Sequence, residues 1–428
     1  MIAEAGIAAA RDPDGAQLSE IPPRLLTRTI AALRDTQPVL GTRPREQVVA
    51  ALTDVVEDWL APGSPWFERA VAAVPQCTGF SPAMIRHALP TMLAPLRAPA
   101  LGDLLAAEAD RRHGPAVILH VLPGNLPGLA AVPAALSLAI GSAALLKAGN
   151  GDRVFPALFA ASIAARDAEL GACVAACYWR GGDRPCEDIA LAAADVVVAS
   201  GDDETIDDLR ARTRGRLVGH GHRVSFAVVA REVLADEHSR WHAVQRLAED
   251  VAIWDQRGCL SPQVCVVEGD VDAARDFGAA AAGALAELAE RLPPAHLTSA
   301  ERLAVRRFRD EAEWRAFGGE RAAVFALAAA GAGTVVVEPT PLFRPTPLCR
   351  SLRVLAIADL GALGELLAPM RAWLECAGLA APPERWPLLT RRLEESSVHR
   401  VCEVGEMQRP PLTWRQGGRP RVADWLSE

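Results

Sequence analysis

The chain has 428 residues, half of them hydrophobic and 23% charged. That is enough to bury a full core and suggests two or three domains at ~150 residues each. The net charge is −8, arginines and acids are interspersed and no basic block occurs, which speaks against nucleic acid or an anionic membrane as the main partner.

The cysteine count is odd at nine, and neither a CxxC pair nor a zinc-like Cys/His spacing occurs. Free thiols in a reducing, cytoplasmic protein are expected, with no metal site. Cys173 and Cys177 read as small core residues. The opening MIAEAGIAAARDPDG has no basic start and no long apolar core, so it is not read as a signal peptide.

Residues 1–112 read as helical. RPREQVVAALTDVVEDWLAPGSP spaces its apolar residues at three and four and stops at Pro-Gly, and PAMIRHALPTMLAPLRA is a second helical stretch interrupted by prolines. From residue 115 the pattern changes. PAVILHVLP is a buried strand, a PGN turn follows, and a helix begins at Leu126-Pro127, proline being favoured in a first turn. The apolar run 128–146 is nearly long enough to span a bilayer, but Pro133 and Gly141-Ser142 break it, so a helix and then a buried strand explain it better. SAALLKAG is that strand, FPALFAASIAARDAE a helix, CVAACYW a possible strand, ADVVVASG a strand, DDETIDDLRART a helix and SFAVVA a strand. The second half repeats the alternation: helix HSRWHAVQRLAEDVAIW, strand QVCVVEG, helix VDAARDFGAAAAGALAELAERL, strands TVVVEP and SLRVLAI, and helix ALGELLAPMRAWLECAG. Strands alternating with helices give an α/β fold with parallel sheets. The Pro/Gly/Trp-rich close, EMQRPPLTWRQGGRPRVADWLSE, reads as an irregular arm, and its Trp414 and Trp425 could pack on a neighbouring subunit.

Four places carry candidate chemistry. Asn125 follows a strand's carboxyl end, where parallel sheets bind ligands. Its amide can serve a developing oxyanion or simply cap the next helix. Lys147, ending a buried strand, can meet a ribose or phosphate or reach solvent. VVVASGDDETIDD is a weak phosphate turn: the GxGxxG fingerprint is absent, and the acidic first turn of its helix repels phosphate. In WDQRGCLSPQVCVVE, Cys259 follows Arg257-Gly258 at the mouth of an apolar strand. A nearby cation favours a thiolate, and Gly258 lets backbone approach a reacting carbonyl. A buried structural cysteine remains the alternative, and Cys265 fits that description better.

The order of HVLPGNLPG (120–128), LLKAGNGD (145–152), VVVASGDDET (196–205), GHGHRVSFAVV (219–229), DQRGCLSPQ (255–263) and GEMQRPPLTW (405–414) resembles the aldehyde dehydrogenase superfamily. It is most similar to the LuxC-type branch, the fatty acyl-CoA reductases. The resemblance runs from about residue 100 onward and implies a helical lead-in (1–112), a Rossmann-like NAD(P)-binding domain (113–230), a catalytic α/β domain (231–395) and a C-terminal arm (396–428), with the active site in a tunnel between the two domains. It makes Cys259 the nucleophile and Asn125 part of the oxyanion hole. Lys147 would contact the cofactor's adenine ribose, and Ser200-Gly201 would flank its diphosphate, with Pro123 and Asn150 beside the cofactor. Asp255 and Gln256 would position the cysteine loop. His220 and His222 would hold a loop or donate a proton.

Two departures bear on the reaction. Where acid-forming dehydrogenases carry a Glu-Leu-Gly-Gly general base, this chain has Gly219-His220-Gly221-His222. Another thiol must then take or deliver the acyl group, so the expected donor is acyl-CoA or acyl carrier protein with a fatty acyl group, as the branch implies, and the expected product an aldehyde. Where many NAD-preferring relatives carry a ribose-binding glutamate, Asn150 stands, so NADPH is expected, with NADH as the alternative. A homo-oligomer is also expected. The rival readings are an aldehyde dehydrogenase making a free acid, an acyl-phosphate reductase, and a non-catalytic scaffold.

Overall fold

The computed structural model describes residues 17–110, 113–326 and 332–426; the MIAEAGIAAARDPDG stretch lies outside them. The chain forms two compact units, one reaching to His222 and taking in the segment from Pro411, the other Arg223–Pro410.

The first unit opens with helices, including Pro23–Thr36, Arg45–Leu60, Pro65–Thr78, Pro82–Leu93 and Ala100–Ala109. Three of them begin on proline, whose missing N–H costs nothing there. Ser64 and Ser81 cap two of these, accepting the N–H of Phe67 and Met84. Trp59 is buried against Phe155 and Phe159, and its indole N–H finds Ser162 Oγ at 2.8 Å.

The helices cover a five-stranded parallel sheet: β1 Val117–Val121, β2 Ala143–Lys147, β3 Val174–Cys177, β4 Val196–Ser200 and β5 Arg216–His220, in the order β3-β2-β1-β4-β5. The order reverses between β1 and β4, and ligands of open parallel sheets bind outside the carboxyl ends of strands at such a point. The run 128–146 forms a helix, Ala131–Ala139, and then β2; among the described residues no helix is long and apolar enough to cross a membrane.

The second unit holds β6 Val224–Val229, β7 Pro262–Glu268, β8 Ala323–Ala326, β9 Thr334–Glu338, β10 Ser351–Ile357, β11 Leu374–Ala380 and β12 Arg400–Glu403, in the order β12-β11-β6-β7-β10-β9-β8. All pairs are parallel except the edge pair β8–β9. Phe226 and Phe343 meet edge-to-face at 5.5 Å in its core.

Two expectations need correction. Residues 362–378 do not form one helix: Leu363–Leu367 is helical, Ala368–Trp373 is a 3-10 turn, and β11 begins at Leu374. Pro369 has no N–H to continue the helix. LECAGLA lies between two parallel strands and is buried nearly throughout, so it lacks the alternation that marks a half-exposed strand. The C-terminal segment is also less uniform than expected. Arg400–Glu403 is a strand, and from Pro411 the chain packs on its own first unit. There Trp425 is buried edge-on to His120, and Arg216 holds the Asp424 and Leu426 carbonyls. Trp425 is therefore taken up within the subunit.

Candidate active site

The expected cofactor residues gather at the carboxyl edge of the first sheet. β1 runs into exposed Pro123 and Asn125, β2 ends at half-buried Lys147 with exposed Asn150 beyond, and β4 ends at half-buried Ser200 and Gly201. The loops after β1 and β2 are stitched together by glycines. A Cβ on Gly149 would lie 2.5 Å from Gly124 Cα, and one on Gly151 would lie 2.3 Å from Gly124 O. Gly124 also has φ +73°, the left-handed region.

Asn125 does not cap the following helix. That helix begins at Ala131, not at Leu126-Pro127, and has Ala130 at its cap with no side-chain bond. Gly128, at φ +92° and tight against Met92, delays the start.

Lys147 has no carboxylate or hydrogen-bond partner among the described residues; its ammonium stands 6.0 Å from the Trp179 ring. Burial pulls its pKa below the usual lysine value, opposed by the field of Glu187. An ammonium partly stripped of water and unneutralised suits ribose hydroxyls or a phosphate, so the edge fits a nicotinamide nucleotide. Asn150 Oδ1 accepts the Tyr178 hydroxyl at 3.0 Å. The β4 turn has another character: Asp202 caps its helix through Thr205 N–H at 2.7 Å, and Asp203 and Glu204 occupy the first turn, which disfavours phosphate there.

Beside β4, Gly201 N–H donates to His220 O at 3.2 Å, and His222 N–H donates to Asp203 Oδ1 at 3.0 Å. No side chain fits easily at either glycine of this stretch. A Cβ on Gly219 would lie 2.6 Å from Ile206 Cγ2, and one on Gly221 would lie 2.2 Å from Asp203 Oδ1.

In the second unit Cys259 sits half-buried just before β7. The backbone leading to it is strained: Trp254, Asp255 and Gln256 have φ of 56°, 48° and 65°. Such residues cost ~1–3 kcal/mol each and persist only where their surroundings hold them. Here the hold is complete. Asp255 is buried, accepts Arg350 Nε at 2.7 Å on one oxygen and Ala295 N–H at 2.8 Å on the other. Gln256 Nε2 donates to Pro262 O and Ser351 O, both at 2.7 Å, and its Oε1 accepts Ser351 N–H at 2.9 Å. On the far side Leu348, Cys349 and Arg350 form a matching arc with φ of 63°, 57° and 57°.

After the cysteine, Ser225 Oγ donates to Cys259 O at 2.6 Å and accepts Cys376 N–H at 3.2 Å. Arg257 pairs with Glu301 at 3.3 Å. Other thiols sit in different settings: burial pushes Cys349 up to about 11, Cys177 to about 12 and Cys265 higher still, which leaves them poor nucleophiles.

Sequence reasoning passed over Arg350, Ser225 and, at the already named Lys147, the fact that it has no counterpart. Arg350 and Ser225 gave no motif, since their roles arise from strands brought together by folding. The third was visible: Lys147 is the only lysine in the chain, against 44 arginines in the 45 basic residues.

No curated protein matches the sequence. Among solved structures, NADP-dependent glyceraldehyde-3-phosphate dehydrogenase from Bacillus halodurans C-125 is similar with TM-score 0.74 at 15% identity, covering 96% of this chain and 91% of that one. NAD-dependent benzaldehyde dehydrogenase from Corynebacterium glutamicum gives 0.73 at 13%, covering 96% and 88%. Aldehyde dehydrogenase C from Pseudomonas syringae, solved with NAD+ and octanal, gives 0.71 at 14%, covering 96% and 89%. At these identities the likeness establishes the aldehyde dehydrogenase fold. The sequence also matches the family described as acyl-CoA reductase (LuxC) from residue 42 to residue 418, and with most of its length matched this chain belongs to the acyl-CoA reductase (LuxC) family.

Proposed function

We propose that this protein reduces an acyl thioester, carried on CoA or on a carrier protein, to the aldehyde with NADPH, through an acyl group held on Cys259. The observation that carries the reading is a rigidly held, half-buried cysteine together with a Gly219–His222 stretch that has no carboxylate of its own and no room for one at Gly219 or Gly221. A thiol nucleophile without a base to activate water transfers its acyl group to or from another thiol and does not hydrolyse it.

In this mechanism the Cys259 thiolate attacks the thioester carbonyl. The C–S bond to the donor breaks, and the donor thiolate leaves and takes up a proton. The Cys259 backbone N–H receives the tetrahedral oxyanion; for Asn125 an oxyanion role is what the family resemblance implies. Asp255, Gln256 and Ser225 keep the loop from shifting during attack, so the nucleophile is pre-positioned. Lys147, with Pro123, Asn150, Ser200 and Gly201, binds the nicotinamide nucleotide, as the solved neighbours named for NAD or NADP suggest. That nucleotide supplies a hydride to the acyl carbon. The resulting thiohemiacetal on Cys259 collapses, expelling the Cys259 thiolate and releasing aldehyde. Asn150 stands where NAD-preferring relatives carry a ribose-binding glutamate, and among the described residues no carboxylate bonds Lys147, although the field of Glu187 reaches it; this favours NADPH over NADH.

The test is NADPH oxidation at 340 nm with acyl-CoAs of increasing chain length, wild type beside Cys259→Ala. Chain-length-dependent oxidation that vanishes in the variant supports the reading. A Cys259→Ala protein reducing acyl-CoA at the wild-type rate ends it, and oxidation with acyl phosphate but no thioester transfers it to the rival chemistry.

A further inference from the structure

Arg302, Arg306 and Arg309 lie four and three residues apart on helix Ser299–Phe317, so one stripe of guanidinium groups runs along ~10 Å of helix. All three line a cavity of about 400 Å³ that also takes in Gly333, Thr334 and Cys349. Neighbouring arginines of the unit are tied to carboxylates: Arg257 to Glu301, Arg315 to Glu338 and Arg344 to Glu311. Arg302 and Arg309 are not, among the described residues. Arg302 donates to the Leu297 carbonyl at 2.5 Å and to Ser299 Oγ at 3.0 Å, and Arg309 donates to Thr334 Oγ1 at 2.8 Å. Arg306 has Asp310 at 3.6 Å, an exposed pair that neutralises little. The two carboxylates in the lining, Asp310 and Glu313, are exposed and stand one turn from Arg306 and Arg309, so they offset part but not all of the stripe's charge. Guanidinium groups held in a concavity on neutral acceptors retain both their charge and spare N–H donors for an anion.

The cavity's position gives the anion a context. Thr334 and Ser351 are the paired first residues of β9 and β10, and Cys259 precedes β7, which is parallel to β10. The cavity and the nucleophile therefore share the amino-terminal edge of one sheet, two strand spacings apart, about 10 Å. Thr334 N–H donates to Arg350 O at 3.0 Å, and Arg350 holds Asp255, so the cavity wall and the cysteine loop are fixed to each other. A substrate that reaches both carries its reacting carbonyl and its phosphate at opposite ends of an arm at least that long.

We infer that this cavity holds the phosphate end of the acyl donor's phosphopantetheine arm while its thioester lies at Cys259. The inference rests on the thioester reading above and adds the place where the donor is recognised. CoA and a carrier protein both present this arm; CoA adds further phosphates on its nucleotide.

The experiment uses the full chain with Arg302→Gln, Arg309→Gln and the double variant. Binding of CoA, 4′-phosphopantetheine, pantetheine and NADPH is measured by titration calorimetry, without turnover. Each substitution should weaken CoA binding about tenfold, the value of one charge-assisted hydrogen bond, and leave pantetheine and NADPH unchanged. An equal loss for phosphopantetheine assigns the contact to the arm's own phosphate, and a loss confined to CoA assigns it to the nucleotide phosphates. Unchanged CoA affinity, an equal loss for pantetheine, or a loss that falls on NADPH overturns the inference. Arg302 is exposed and bonded only within its own turn, so Arg302→Gln tests the site even if the Arg309 variant fails to fold. If CoA binds through these arginines but no acyl thioester is reduced, the reductase reading fails and the binding site stands.

Discussion

Arg350 and Asp255 meet at 2.7 Å with neither side chain open to solvent, and each sits in its own left-handed arc of three residues. The pair fastens the backbone before the candidate nucleophile to the backbone entering β10. Removing one partner strands the other as a buried charge. Arg350→Met should therefore cost ~3–5 kcal/mol in urea unfolding, and adding Asp255→Asn should recover part of it. A single variant within about 1 kcal/mol of wild type would show that the arcs are held by something else.

Gln256 is the second fastening. Gln256→Glu replaces a donor that serves two carbonyls with an acceptor facing them. Stability should fall by ~1–3 kcal/mol, and alkylation of Cys259 by iodoacetamide should slow. Unchanged alkylation in a destabilised protein would mean that Gln256 supports the fold but does not aim the thiol.

Lys147→Gln should raise the NADPH dissociation constant about tenfold, as for one lost charged hydrogen bond, with the KM for acyl donor unchanged. Lys147→Arg should not restore binding fully, since the guanidinium is larger and forked. Equal NADPH affinity in all three proteins would remove Lys147 from the cofactor site.

Gly219→Glu places a carboxylate where acid-forming relatives have their base, yet its Cβ would meet Ile206 at 2.6 Å. We expect a lower melting temperature and no carboxylic acid among the products. Acid formed by a stable Gly219→Glu protein would show that only the missing carboxylate directs the chemistry.

Two buried carboxyl groups set a pH trend. Burial raises Asp152, which caps helix Phe155–Arg166 through Phe155 N–H, to about 7, and raises Asp250, which accepts Gly405 and Met407 N–H, to about 7. Between the unfolded value near 4 and 7 the folded chain binds more protons, so the contribution of these groups is full below ~4 and lost as pH rises through 7. Glu268 acts oppositely. Buried against Arg385 and Arg231, it is lowered to about 2, so its contribution is present above the unfolded value and lost as pH falls through 2. Asp152→Asn should flatten the fall of melting temperature between pH 4 and 7; an unchanged slope would show that Asp152 does not titrate there.

Most of the parallel framework was legible because its strands are short β-branched runs closed by Gly or Pro, as in VILHV, VVVAS and TVVVE. β11 was hidden because LECAGLA carries alanine, glycine and a charge and follows a helix-like run. Burial on both faces erased the alternation, and buried Glu375 has Arg223 3.3 Å away to offset its charge. β5, β8 and β12 are edge strands of four or five residues, too short to show a period. The candidate site was legible where chemistry needs contiguous residues, as in DQRGCLSPQ. It was illegible where the contact spans the chain, as from Asp255 to Arg350 or from Ser225 to Cys259.

The solitary Lys147 makes one edge of the first sheet spectroscopically distinct from all the rest. Protein grown on lysine labelled with nitrogen-15 at the side-chain amine carries a single labelled ε-nitrogen. Its resonance reports on one place without assignment, and a titration with either nicotinamide nucleotide can be followed there atom by atom.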